Sequence, residues 1–149
     1  MLPARLLFTL VATLAGLSCQ AQTSVSDAWV RGTVAQQKAT GAFMQLTSRQ
    51  GGKLVSVSSP LAALVEIHEM SMDGSTMKMR AVASVDLPPG KSVQLTSGGY
   101  HVMLMDLKAA LKGGDTVPLT LVVQGLDGKR ETIEVKAAVK ALGATDHKH

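Results

Sequence analysis

The residues with the clearest chemical potential in this sequence are methionines and histidines that fall in one stretch. Six of the eight Met residues lie between Met70 and Met105, and two of the four His residues, His68 and His101, lie in or beside that stretch. Methionine alone is ordinary core filler. Thioethers together with imidazoles form a neutral, soft ligand set that selects Cu(I) over Zn(II), Ca(II) or Mg(II). The cluster therefore predicts a Cu(I) site, against the alternative of half-buried histidines among core methionines.

Strand geometry predicts which of these side chains meet. Residues two apart on a strand share a face, so His101 and Met103 point the same way. Asp73-Gly74 is a two-residue hairpin signal. With these residues at the tip, His68 would face Met79 across the hairpin, with Cβ atoms about 4.5–5.5 Å apart. The predicted metal ligands are His68, Met79, His101 and Met103.

Neighbouring side chains are expected to support this site. The remaining methionines of the stretch are interpreted as an apolar collar that keeps water away, with spare ligands as the alternative: Met70, Met72, Met77 and Met105. Three carboxylates are candidates for hydrogen bonds to the imidazoles, which metal-bound histidines usually make, although we expect each to be solvated: Glu66, Glu69 and Asp106.

The elements that position these residues read as short strands separated by turns. The strand-like segments are 54–58, 64–70, 77–85, 92–96, 99–107, 117–124 and 131–139. Turn signals fall between them, among them Pro88-Pro89-Gly90 and Asp127-Gly128. Short strands at this spacing predict an all-β sandwich or barrel. No segment has a convincing helical period.

Composition sets the class of protein. The chain of 149 residues is 46% hydrophobic but only 3% aromatic, so its core must be built from aliphatic residues and methionine. The formal net charge is +4, but the basic residues are scattered. A nucleic-acid-binding surface needs a basic stripe and aromatic side chains for stacking. The sequence has no dense basic stripe and almost no aromatic residues. We therefore expect one domain and no nucleic-acid partner.

The N-terminus resembles an export signal. Arg5 precedes an apolar run of 12 residues, Leu6 to Leu17, which is shorter than the roughly 20 residues of a membrane span and typical of a signal peptide. Cleavage after Ala21 would make residues 1–21 the signal peptide and place the protein in the periplasm without a membrane span. The alternative is a lipoprotein anchor at Cys19, and we favour soluble export.

Export with cleavage after Ala21 would leave no cysteine in the mature chain, since Cys19 is the only one. A blue-copper electron carrier needs a Cys thiolate, so the prediction is metal binding and transfer rather than redox cycling. Residues 22–143 are predicted to form the copper-binding β-domain and residues 144–149 a flexible tail. In that tail, His147 and His149 are candidate ligands for a second ion, Cu(II); a polar tail without metal is the alternative.

The ligand spacing resembles that of the periplasmic copper chaperones of the PCu(A)C type, here written PCuAC. Ten residues separate His68 from Met79, 21 separate Met79 from His101, and one separates His101 from Met103. All four motif positions are occupied. The surrounding sequence is similar as well, over segments 27–31, 39–44, 68–70, 77–80, 100–105 and 114–121.

The resemblance implies a cupredoxin-like Greek-key β-barrel or sandwich of about seven to eight strands. It also implies binding of Cu(I) and delivery for cytochrome c oxidase assembly, with the copper-site subunit or a Sco-type protein as partner. The alternatives are an exported copper storage or tolerance protein, and an exported β-sandwich interaction module without a metal role. An enzyme is not expected, because the sequence has no nucleophile elbow, His-Glu-x-x-His motif or phosphate loop.

Overall fold

The computed structural model describes residues 22–143, which form ten β-strands and no helix. The strands are β1 (Thr23–Arg31), β2 (Ala39–Ser48), β3 (Gly52–Ser58), β4 (Ala62–Asp73), β5 (Thr76–Val82), β6 (Val85–Leu87), β7 (Ser92–Leu95), β8 (Tyr100–Leu107), β9 (Thr116–Gly125) and β10 (Arg130–Lys140). The predicted signal peptide 1–21 with Cys19, and the tail with His147 and His149, lie outside the described residues.

All ten strands belong to one hydrogen-bonded sheet, in the order β5-β4-β8-β2-β1-β10-β9-β3-β6, with β7 paired to β2. The β1–β10 pair is parallel and the other pairs are antiparallel. The predicted all-β class is confirmed. The number of strands is ten rather than seven to eight, because β1 and β2 were not predicted and the segment 77–85 divides into β5 and β6.

The two missed strands lack the alternation that identifies a strand with one buried face. In β2, Ala42, Phe43 and Met44 are buried in succession, so both faces of this strand are covered there and the alternation of buried and exposed residues is lost. In β1, a β-bulge shifts the register against β2 between Ser26 and Trp29. The extra residue, Asp27, has a φ of 53°, a left-handed conformation that Asp tolerates better than most residues.

The core is aliphatic, as the composition predicts. Leucines from separate strands are completely buried, among them Leu46, Leu54, Leu104 and Leu119. Each such side chain contributes about 1.5–3 kcal/mol on burial. Strand β8 links this core to the predicted site, because Val102 and Leu104 alternate with His101 and Met103 along it. One face of the strand is anchored in the core while the other presents the predicted ligands.

The β4–β5 hairpin differs from its predicted register. Asp73 pairs with Thr76, so the two turn residues are Gly74 and Ser75. Gly74 has a φ of 65°, and glycine at the first central position is typical of a type II′ hairpin turn. The prediction that His68 faces Met79 is therefore wrong: Met79 pairs with Met70, and His68 pairs with Ala81.

No helix among the described residues has the length and apolar character needed to cross a membrane.

Candidate metal centre

The adjacent strands β4 and β8 bring the two predicted histidines together. His68 and His101 are directly opposed in the β4–β8 ladder, and their ring centroids are 5.9 Å apart. Both residues are buried, with 9% and 4% of their surface exposed. Buried polar side chains need partners, so the partner of each ring nitrogen is informative.

Met79 reaches His101 from β5, across the intervening strand β4. Its Sδ atom lies 3.1 Å from Nε2 of His101. The corrected hairpin register accounts for this contact, because pairing with Met70 places Met79 on the same face as His68 and His101. Met79 is 49% exposed, so this side of the site is open to solvent.

Met103 completes the group from the next position on the same face of β8. It lies opposite Glu66 of β4 and Gly41 of β2. Met103, His101 and Met79 line a shallow cavity of about 270 Å³, together with Met70. His68 does not line this cavity and lies next to it. Three of the four predicted ligands thus share one cavity, and the fourth is adjacent.

The hydrogen bond of His101 defines which of its nitrogens is available. Nδ1 lies 3.1 Å from the carbonyl oxygen of Gly99. Because a carbonyl only accepts, Nδ1 carries the proton, and in the neutral ring the lone pair is then on Nε2. That nitrogen is the one that faces the sulfur of Met79. Neither atom has a proton to donate to the other, so this pair of lone pairs suits a shared cation.

In His68 the roles of the two ring nitrogens are the reverse of those in His101. Nε2 of His68 lies 2.8 Å from a carboxylate oxygen of Glu66, which accepts a hydrogen bond from that nitrogen. Its Nδ1 is buried and finds no hydrogen-bond partner within residues 22–143. An unsatisfied buried polar atom costs roughly 1–3 kcal/mol. A buried nitrogen whose lone pair has no hydrogen-bond partner fits the requirement of a metal ligand.

The supporting residues agree only in part with expectation. Glu66 is not merely solvated, since it orients His68, whereas Glu69 binds Arg80 at 3.0 Å. Met70 lines the cavity as a collar residue would. Met72 and Met77 are 61% and 49% exposed, so their interpretation as a water-excluding collar is wrong.

Two residues of β2 shape the floor of the cavity and were not predicted as part of a site. Gly41 lies beside Met103, and the Phe43 ring lies over it, so that a Cβ added to Gly41 would be 2.7 Å from Cζ of Phe43. The Arg31 guanidinium lies 5.4 Å from the centroid of the same ring, a cation–π contact. The sequence signal was present in the segment 39–44, but it indicated family resemblance rather than a role.

Within residues 22–143, no group of three or more His, Cys, Asp or Glu side chains is arranged to hold a metal ion. The imidazole and thioether cluster is thus distinct from carboxylate-rich or thiolate-rich metal sites.

Comparisons with known proteins agree with the fold and with the predicted family. A family model described as "Putative lipoprotein LpqE-like" matches residues 23–139. Among curated proteins, "Putative lipoprotein Lxx21020" of Leifsonia xyli subsp. xyli (strain CTCB07) is 33% identical over 100 residues, which is 65% of this chain. The aligned part spans 59% of that relative's length.

Solved structures give the same result. Apo-DR1885 from Deinococcus radiodurans is 33% identical, with a TM-score of 0.59 and coverage of 95% of both chains. CuI-DR1885 is 34% identical, with a TM-score of 0.56 and coverage of 85% of this chain and 83% of that one. The apo PCuAC domain from PmoF1 is 25% identical, with a TM-score of 0.67 and coverage of 81% and 95%. The chain therefore belongs to the LpqE-like family, and its domain is of the PCuAC type.

Proposed function

We propose that this protein binds one Cu(I) ion through His68, Met79, His101 and Met103 and passes it to another protein. The observation that carries the proposal is the contact between Nε2 of His101 and Sδ of Met79, 3.1 Å apart. Two lone-pair donors held together in a partly buried site are suited to a cation between them. The orphaned Nδ1 of neighbouring His68 adds a third donor of the same kind.

The donor set favours the cuprous ion. Imidazole and thioether are neutral and soft, and soft ligands select Cu(I). Two imidazoles and two thioethers add no negative charge that would favour Cu(II) or a hard divalent ion. Copper is here the cargo, and the exposed position of Met79 supports its transfer. A partner can approach that side and replace the thioether with a ligand of its own.

Similarity to characterised structures supports the same function. DR1885 has been solved in a form named CuI-DR1885, and it is 34% identical to this chain over 85% of the chain's length. A large distance between His68 and His101 would favour the alternative of an interaction module without a metal role. Their ring centroids are 5.9 Å apart, which favours the metal site.

We extend the proposal to location and pathway on the basis of family resemblance. The LpqE-like relatives are named as lipoproteins, which supports export, and we favour the periplasm. We propose delivery to the copper-site subunit of cytochrome c oxidase or to a Sco-type protein. Copper storage or tolerance is the alternative use of the same site. Binding and release of an ion need no catalytic group, so we propose no enzymatic activity.

An anaerobic competition titration with a chromophoric Cu(I) chelator tests the ligand set. The Met79→Leu/Met103→Leu variant keeps the apolar volume but removes both thioethers, and we expect it to lose tight binding. Met44→Leu is the matched control, because Met44 is buried in the core and 2% exposed. Unchanged affinity in the double variant would refute the proposed ligands, and an equal loss in the control would indicate a nonspecific effect on the fold.

A further inference from the structure

The outer part of the β4–β5 hairpin has two chemically different faces. One face has charged pairs, with Arg80 bonded to Glu69 at 3.0 Å and Lys78 paired to Asp73. The other face, by the alternation of side chains along each strand, has only thioethers beyond His68. Met70 pairs with Met79, and Met72 pairs with Met77.

These thioethers form two successive rungs that lead away from the histidines. The inner rung, Met70 and Met79, lines the cavity beside His101. The outer rung, Met72 and Met77, follows two residues further along each strand, about 6.6–6.8 Å away. Directly opposed side chains have Cβ atoms about 4.5–5.5 Å apart, so two flexible methionines on one rung can reach a common ion.

The two methionines of the outer rung are exposed at the edge of the sheet, where such apolar side chains are unusual. β5 is an edge strand, and edge strands normally present charged side chains to avoid pairing with other chains. Met72 is 61% exposed and Met77 is 49% exposed. The charges that protect this edge are on the opposite face, where they are already paired. Apolar packing within the described residues therefore does not account for the two methionines.

We infer that Met72 and Met77 form a second soft-metal site, which captures Cu(I) and passes it to the inner site. Transfer is a ligand exchange: the thioether lone pairs of Met72 and Met77 replace the ligands that brought the ion. The thioether of Met79 and then the other inner-site ligands replace Met72 and Met77. No electron is transferred, and the ion remains Cu(I). Two thioethers without an imidazole bind more weakly than the inner set, which allows onward transfer. The relay direction rests on the proposed function, whereas the outer site itself does not.

Methionine-methyl NMR of the protein, labelled with ¹³C at the Met methyl groups, tests this inference. Ag(I) is the probe, because it is a soft, redox-stable analogue of Cu(I). We expect the first equivalent to shift the methyl signals of Met79 and Met103, and the second to shift those of Met72 and Met77. The readout is specific to methionine, so an ion held only by histidines elsewhere in the chain does not produce the signal.

A Met72→Leu/Met77→Leu variant provides the second arm. It preserves the exposed apolar surface, and we expect inner-site shifts at the first equivalent and slower loading from a Cu(I)–chelator complex than in the wild type. Met44→Leu is the control, since it removes a thioether that is buried in the core, away from both proposed sites. It should load at the wild-type rate.

The outcomes separate the two proposals. If Met72 and Met77 do not shift at any Ag(I) ratio while Met79 and Met103 do, the outer site is wrong and the proposed function stands. An unchanged loading rate in the Met72→Leu/Met77→Leu variant overturns the relay. If Met79 and Met103 fail to shift, the proposed function is wrong, and shifts of Met72 and Met77 would still establish the outer site.

Discussion

The carbonyl oxygen of Gly99 decides which nitrogen of His101 is available, and a carboxylate does the same for His68. Nδ1 of His101 and Nε2 of His68 are bonded to protein oxygen atoms. The free nitrogen is therefore Nε2 in His101 and Nδ1 in His68. These contacts were only partly predictable. The sequence places Glu66 on the same strand face as His68, but alternation alone cannot distinguish a carboxylate that turns toward the ring from one that remains in water.

Glu66 provides a residue-scale prediction. Glu66→Leu removes the acceptor that orients His68, and loss of such a partner typically lowers metal affinity by about 10–100-fold. We expect that loss in the Cu(I) competition titration. Glu69→Leu is the matched control, because Glu69 lies on the opposite face of the same strand and binds Arg80. Equal affinities for the two variants would contradict the orienting role of Glu66.

At the scale of the element, the hairpin and the strand β2 determine the shape of the site. The sequence predicted a turn at Asp73-Gly74, and the turn lies one residue further on, at Gly74 and Ser75. Asp-Gly and Gly-Ser are both acceptable hairpin turns, so local propensity could not separate the two registers. The difference matters, because it places Met70 rather than His68 directly opposite Met79.

Gly41 gives a prediction at this scale. A Cβ at this position would lie 2.7 Å from the Phe43 ring, and the ring is 5% exposed. Gly41→Ala forces the ring away from the cavity floor, and overpacking of this kind costs about 1–3 kcal/mol. Urea denaturation should show a lower free energy of unfolding. Gly98→Ala is the control, since a Cβ there meets nothing within 4 Å; equal stabilities would rule out steric pressure on Phe43.

At the scale of the whole molecule, the fold class was predictable and the count of strands was not. Strands with one buried face, such as β8, show period-2 alternation and were located from the sequence. β2 is buried on both sides, and the bulge at Asp27 interrupts β1. The predicted ligands are brought together by the strand order β5-β4-β8-β2. This order depends on pairing between strands that are distant in sequence. The ligand spacing therefore indicated it only through the resemblance to the PCuAC family.

Metal binding should stabilise the whole domain, because the site draws its ligands from three strands, and two of these, β4 and β8, pack core residues such as Ile67 and Val102 on their other face. A ligand that binds only the folded state stabilises it by about 2.7 kcal/mol at a hundredfold excess over its Kd. We expect Cu(I) to raise the thermal unfolding midpoint of the wild type and to leave that of His101→Ala nearly unchanged. An equal rise in both proteins would place the copper elsewhere.

The most direct test of the central claim is X-ray absorption at the copper K-edge of the Cu(I)-loaded protein. The ligand set His68, Met79, His101 and Met103 predicts a cuprous edge with both sulfur and imidazole nitrogen scatterers. In the Met79→Leu/Met103→Leu variant, loaded at a higher Cu(I) concentration, the number of sulfur scatterers should fall while the nitrogen shell remains. A wild-type spectrum with nitrogen or oxygen neighbours alone would contradict the account, because the thioethers would then lie beside the copper without binding it.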